Sequence, residues 1–438
     1  MGYSVIIYGY GSYDKPLRAM PCSDPEIHSR SRVALSSMRC SRLLLTAAAL
    51  LVLAGCSSLP TNVVREPSHV LRDTSSTRLA RDLEPLLERH PGLSGFHVLS
   101  DGVAAFASRM RLIRAAEKSI DAQYYIWHTD LTGNAMFHQL LQAADREVRV
   151  RILLDDLDTA GKDQMLHLID AHPNVEVRLY NPFANRRRRA GDFVTDTRRV
   201  NRRMHTKTLT VHNQATVFGG RNIGDEYFAA AEEVGFNDLD ALAVGPIVQE
   251  VSDQFDLFWN SEWVYPIAAF PPESPITDDE IDAFRALSDQ QMAEAKASEY
   301  AEVIARLALE HTSGVDKLDM AWSTGFLAYD PPSNVDAKEV TLQENLAPKL
   351  KLAMARTEEA LDIVSPYFVP GEAFTKFLTD RVADGVRVRI LTNSLASNDV
   401  GLVHAGYMRY REDLIAGGVE LYEFKAIRDE ALDDRLDR

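Results

Sequence analysis

The sequence is poor in three things. Its three cysteines, Cys22, Cys40 and Cys56, all lie within the first 56 of 438 residues. The rest of the chain therefore has no thiol for a disulfide, a zinc knuckle or a cysteine nucleophile. It is also short of positive charge, with 48 Lys and Arg against 64 Asp and Glu and a formal net charge of -16. Sequence-independent binders of phosphate backbones ordinarily carry a basic excess, so no nucleic-acid partner is expected. Finally, its apolar run Leu43–Gly55 (LLLTAAALLVLAG) is too short to span a bilayer comfortably. What it does have is 45% hydrophobic residues, enough to build cores for two ordinary domains.

Arg39 and Arg42 precede that apolar run, which fits the h-region of a secretory signal. The run ends in LAGC and resembles a bacterial lipoprotein lipobox, which implies that Cys56 becomes the lipidated first residue of a membrane-anchored cell-envelope protein. Signal peptides begin close to the initiator methionine. Met38 therefore reads as the true start, and residues 1–55 as an upstream extension plus signal peptide.

After Cys56 a polar tether is expected to about residue 90, followed by alternating helical and strand patterns. Ser119–Trp127 reads as a strand, Asn134–Asp145 as a helix, and Val148–Leu154 as another strand. This alternation implies an α/β layer fold. A repeat then appears: VRVRIL begins at Val148 and again at Val386, an offset of 386 - 148 = 238. SIDAQYYIW is answered by ALDIVSPYFVP at Ala360–Pro370, and VEVRLYNPF at Val175 by VELYEFK at Val419. The chain is thus expected to hold two related lobes, 91–270 and 316–438. Thr277 and Glu280 offer a capping box opening a helical connector over 271–315.

Two clusters of charge stand out. Asn185–Lys207 holds eight arginines and one lysine against two aspartates, a basic patch in an acidic protein. LLDDLDTAG at Leu153–Gly161 follows a strand with clustered aspartates, which suggests a magnesium-dependent aspartyl phosphatase, although Ala160 stands where that pattern wants Thr or Val.

Directly behind the arginines comes RRMHTKTLTVHNQATVFGGRN. If Met204–Val211 is a strand, His205 and Lys207 share one face and His212 lies on the other. Asn213 and Gln214 can make a turn, and Gly219 and Gly220 let the backbone approach a neighbour closely before Asn222 offers an amide. An imidazole can attack phosphorus and a lysine can neutralise its oxygens, so the set suits phosphodiester exchange.

The H-x-K pattern followed by an acidic position and G-G/S-x-N resembles the phospholipase D superfamily signature. YYIWHTDLTG, GGRNIGDEYF, AYDPPSN and SPYFVPGE look more narrowly like its cardiolipin synthase branch. The resemblance runs from about Leu93 to Phe424 and implies two lobes related by a pseudo-twofold axis, each a β-sheet flanked by helices. It implies phosphatidyl transfer between phospholipids through a phosphohistidine at His205, with Lys207 and Asn222 holding the phosphate. Asp240, or Asp238 two residues earlier, would orient the histidine. Gly219, Gly220, Arg202 and Arg203 would meet the phosphate or head group of anionic phospholipids such as phosphatidylglycerol at a membrane surface. No metal and no cofactor are expected in a histidine mechanism.

Two departures qualify that reading. His212 occupies the family's aspartate position. The family also takes a second motif from the second lobe, and the repeat offset places it at 205 + 238 = 443, past Arg438. The second lobe is therefore expected to be truncated before its motif, which would impair activity. The other reading is a homodimer in which each copy gives its single motif, with an accessory protein as a further candidate partner. The alternatives are a nuclease or phosphodiesterase of the same superfamily and a non-catalytic lipid-binding remnant.

Overall fold

The computed structural model describes residues 58–231, 235–297, 300–302, 318–335, 346–398 and 401–425. The expected signal segment, Cys56 and the tail after residue 425 lie outside the described residues. Two compact units are present, one within Ala34–Thr341 and the other within Leu342–Arg438. Among the described residues no helix is long and apolar enough to cross a membrane.

The larger unit opens with α1 (Arg78–Arg89), which Thr77 caps by accepting a hydrogen bond from Ala80 N. The polar tether expected up to residue 90 is thus corrected: Leu79, Leu83 and Leu86 recur at helical spacing and are buried in the main core. The segment before α1 is bound as well, since Arg65 Nε donates to Val264 O at 2.7 Å and Val70 N to Asp256 Oδ2 at 2.8 Å.

The unit continues as β1 (Ser94–Leu99), α2 (Gly102–Ala115), β2 (Ser119–Tyr124), α3 (Leu131–Asp145), β3 (Arg149–Asp155), α4 (Asp163–Asp170) and β4 (Val175–Tyr180). Two short helices, α5 (Asp192–Thr195) and α6 (Thr197–Val200), lead to β5 (Thr208–Val211), β6 (Ala215–Gly219), β7 (Asp240–Val244), α7 (Pro246–Trp259), β8 (Val264–Pro266), α8 (Asp278–Lys296) and β9 (Ala321–Ser323). The strands form a nine-stranded sheet in the order β8-β4-β3-β2-β5-β6-β7-β1-β9. β2, β3 and β4 run parallel through helical crossovers, whereas β2 meets β5 antiparallel, with Ile120 opposite Val211 and Gln123 opposite Thr208.

Alternation along β3 separates the two faces. Val150, Ile152 and Leu154 join the core under α2 and α3, while Leu153 packs with Met204, Phe255, Phe258 and Trp259 on the α7 side. Thr277 Oγ1 accepts from Glu280 N at 3.3 Å to start α8, the N-cap half of the expected capping box, whereas the Glu280 carboxylate accepts from Ser274 Oγ at 2.9 Å. β9 pairs with β1, so residues 321–323 belong to this sheet and not to the second lobe, whose expected start was residue 316.

The smaller unit comprises α9 (Leu346–Ala355), β10 (Ala360–Val364), α10 (Gly371–Ala383), β11 (Arg387–Asn393), α11 (Gly401–Ala416) and β12 (Glu420–Phe424). Its three strands are parallel in the order β10-β11-β12, the arrangement of β2-β3-β4. The repeat reaches side chains. Arg151 Nε donates to Asp121 Oδ1 at 2.7 Å between β2 and β3, and Arg389 Nε donates to Asp362 Oδ1 at 2.7 Å between β10 and β11.

Candidate active site

β5 begins four residues later than the sequence pattern predicts. Residues 204–207 precede the strand: Met204 N is diverted to Asp155 Oδ2 at 2.7 Å, while Gly219 N still reaches Lys207 O at 3.4 Å in register with the β5–β6 ladder. His205 and Lys207 nevertheless point the same way. Lys207 Nζ lies 2.9 Å from His205 Nδ1 and donates to His205 O at 2.8 Å. Tyr125, just past β2, backs the pair: its ring centroid is 4.4 Å from the imidazole and 5.1 Å from Lys207 Nζ.

Electrostatics differ along this pair. Lys207 is only 3% exposed. Burial lowers its pKa to about 7, against the opposing pull of Asp238, Asp155 and Asp240. His205 has a solvent-exposed edge, but its packed side and the neighbouring Lys207 ammonium both push its pKa below the usual 6.5. Water at that edge moderates the shift. The direction, toward a neutral imidazole with a usable lone pair, is common to both causes.

The other expected site residues divide. Asn222 is buried with both ends of its amide engaged: Oδ1 accepts from Ile126 N at 3.1 Å and Nδ2 donates to Tyr227 OH at 2.9 Å. With the parallel bridge between Trp127 and Ile223 it fixes the segment that carries Tyr125. Asp240 belongs to a different pair from the one expected. Its carboxylate lies 2.9 Å from Arg109 Nη2 and 3.6 Å from Arg221 Nη1, in a fully buried cluster that Tyr124 OH joins by accepting from Arg109 Nε at 3.0 Å. Asp238 is the carboxylate that acts most strongly on Lys207.

Gly219 and Gly220 admit these carboxylates. A Cβ on Gly219 would stand 2.5 Å from Asp240 Cα and Leu239 O, and one on Gly220 would overlap the Asp238 carboxylate. What approaches the glycine backbone is therefore the protein's own acid pair.

The two charge clusters answer one another. Arg203 Nη1 donates to Asp155 Oδ1 at 3.1 Å, Arg186 pairs with Asp156 and Asp163, and Arg189 Nη2 lies 3.5 Å from Asp156. Asp155 and Asp156, two of the aspartates that suggested a phosphatase, are counter-charges for the basic stretch, while Asp158 pairs with Lys162. Arg203, expected at the head group, has its guanidinium held by Asp155 and by Asn181 O at 2.9 Å. Arg202 is half-buried, and its carbonyl accepts from Asn181 Nδ2 at 2.7 Å. Asp155, which holds both Arg203 and Met204 N beside the histidine, was not singled out in the sequence. Its only signal is its place at the end of a parallel strand.

His212 stands apart from the pair. It takes φ +59° and Asn213 φ +57°, and Gln214 N donates to Val211 O at 3.0 Å, so the hairpin turn begins one residue earlier than expected. The buried ring sits against the turn before β2, where Glu117 N donates to Nε2 at 3.0 Å and Ser119 N lies 3.3 Å from Nδ1. Histidine, like aspartate, is among the few non-glycine residues that tolerate this backbone conformation.

A second polar group sits past β2. His128 Nδ1 is 3.2 Å from Glu226 Oε1, and His128, Asp130 and Glu226 bring ligand-type atoms within 4.8 Å of one another. The Asp130 oxygens already accept from Gly133 N and Asp225 N.

The family model described as cardiolipin synthase, phospholipase D-like domain, matches residues 110–259 and 350–434. The chain belongs to this family. Cardiolipin synthase C of Escherichia coli is 43% identical over 362 residues, which are 81% of this chain and 74% of that protein. An uncharacterized Helicobacter pylori protein is 29% identical over 382 residues, 85% of this chain and 73% of its own length. Among solved structures, phosphatidylserine synthase of Haemophilus influenzae aligns over 76% of this chain and 72% of its own, with 14% identity and a TM-score of 0.46. The two segments matched by the family model contain the strands β2–β4 and β10–β12 that repeat one another.

Proposed function

We propose that this chain carries the chemistry of a phosphatidyltransferase that moves a phosphatidyl group from one phospholipid to a hydroxyl of another. The observation that carries the reading is the convergence of a neutral, partly open imidazole with a buried lysine amine 2.9 Å away. Membership of the cardiolipin synthase family supports the phospholipid class of substrate.

In the first step a ring nitrogen of His205 forms a bond to phosphorus while the ester bond to the departing glycerol breaks, and the alkoxide takes up a proton. In the second, the hydroxyl oxygen of the acceptor attacks phosphorus, releases its proton, and the nitrogen–phosphorus bond breaks. Nδ1 faces Lys207, so Nε2 is the reacting atom. A bound phosphodiester anion raises the pKa of Lys207 and draws the ammonium from Nδ1 onto phosphate oxygens, where it offsets the charge of the transition state. Asp155, Asn222 and the Asp240 cluster position these groups. Lipidation of Cys56 would hold the enzyme at its substrate surface.

The test is to mix purified full chain with phosphatidylglycerol vesicles, quench rapidly and measure peptide masses. A phosphatidyl adduct on the peptide bearing His205, absent in His205→Gln, is expected together with lipid product. Product formation by His205→Gln at the wild-type rate would remove His205 from the chemistry.

A further inference from the structure

In the basic stretch, Arg186, Arg189, Arg199 and Arg203 are tied to Asp156, Asp163, Asp196 and Asp155. Arg187, Arg188 and Arg198 remain on the exposed surface. Between them lies α5, which presents Phe193 at 40% and Val194 at 83% exposure. The acid in this helix, Asp192, is turned inward and accepts from Ala184 N and Asn185 N. The tip of the loop is therefore both basic and apolar on a chain whose net charge is -16.

We infer that residues 187–198 form an interfacial wedge that docks the protein on an anionic lipid surface, with Phe193 and Val194 entering the head-group region and Arg187, Arg188 and Arg198 contacting lipid phosphates. A basic apolar tip gains from burying aliphatic surface and from the negative potential of anionic lipid at once. A polyanion such as nucleic acid would reward the arginines and leave Val194 in water. The base of the loop is fixed: Asn181 Nδ2 donates to Arg199 O at 2.8 Å and to Arg202 O at 2.7 Å, and Asp155 holds Arg203 and Met204 N. His205 follows directly, so docking the tip delivers the nucleophile to the plane of the phosphates. This inference rests on the phospholipid reading above.

The experiment measures partition of the full chain to vesicles of phosphatidylglycerol and phosphatidylcholine mixed, and of phosphatidylcholine alone, beside turnover of a short-chain phosphatidylglycerol kept below its micelle concentration. Arg187→Glu with Arg188→Glu is expected to weaken binding to the anionic vesicles by about 25-fold or more, from about 5-fold per arginine lost, an effect that high salt suppresses. Phe193→Ser with Val194→Ser is expected to weaken binding at every salt concentration. Both double variants should turn over the monomeric lipid at the wild-type rate and melt at the wild-type temperature. Unchanged vesicle binding in both variants overturns the inference. So does equal loss of turnover on monomeric lipid, which would make the segment part of the substrate pocket, or loss of oligonucleotide binding with vesicle binding retained. Vesicle binding that falls as expected in a protein with no turnover of any phospholipid would uphold the wedge and sink the proposed chemistry.

Discussion

Lys207 holds its amine 2.9 Å from the Nδ1 of His205 in a site where burial brings the lysine pKa down to about 7. The charge state of one side chain therefore changes close to neutral pH while its partner stays neutral. In free enzyme, kcat/KM is expected to fall on the alkaline side with a midpoint near that value, since a neutral amine cannot offset phosphate charge. The acid limb should lie below the usual histidine range, because His205 is depressed by burial and by Lys207. Lys207→Arg should remove the alkaline limb. A pH profile of Lys207→Arg identical to that of wild type would exclude the lysine as the titrating group.

Asp240 and Arg109 face each other 2.9 Å apart with both side chains fully buried. Asp240→Asn leaves the Arg109 and Arg221 guanidinium groups buried and under-compensated, and should cost about 3–5 kcal/mol in stability. Chemical denaturation measures it. A loss confined to kcat with an unchanged denaturation midpoint would instead return Asp240 to the role of histidine orienter.

His212 is buried and its pKa is pushed down to about 4, first by desolvation. The folded state keeps the ring neutral while the unfolded chain binds a proton below about 6.5. Stability linked to this group is present above that value and is lost as pH falls toward 4, by ~3 kcal/mol over the window. His212→Asn tolerates the same backbone conformation and does not titrate. The stability gap between the two proteins should therefore move in favour of the variant on acidification, with no matching change in the pH profile of turnover.

The two glycines should respond differently to alanine. On Gly219 the added methyl meets the backbone of Leu239 and Asp240, which cannot yield, and a cost of about 1–3 kcal/mol is expected. On Gly220 it meets the Asp238 carboxylate, which can swing away. Gly220→Ala should then separate Asp238 from Lys207, lower the lysine pKa further and shift the alkaline limb of kcat/KM to lower pH. A thermal melt and the pH profile, taken together, separate the two effects.

The parallel strands and their crossovers were legible because apolar runs of strand length alternate with helical patterns, and the repeat of VRVRIL marked the second unit. The pair His205 and Lys207 was legible from its two-residue spacing, though the reason was not. Its alignment survives outside the β-ladder because Asp155 anchors Met204, a contact between residues 49 apart in sequence. The buried partners of Asp240 were not legible, because Arg109 lies 131 residues earlier on α2 and Arg221 lies in the segment after β6, and no local spacing links either to Asp240. The tether was misjudged because its leucines were scattered among charges, and spacing alone identified the buried stripe.

The ion pair between β2 and β3 and its copy between β10 and β11 meet different fates. Arg151 is roofed by Phe255 and Trp259, with its guanidinium carbon 4.7 and 5.4 Å from their ring centroids, whereas the side chains of Arg389 and Asp362 keep 42% and 31% of their surface open. One polypeptide thus contains the same bond twice, once in a dry interior and once in contact with solvent. Exchanging each arginine for lysine, copy by copy, turns the molecule into its own dielectric gauge.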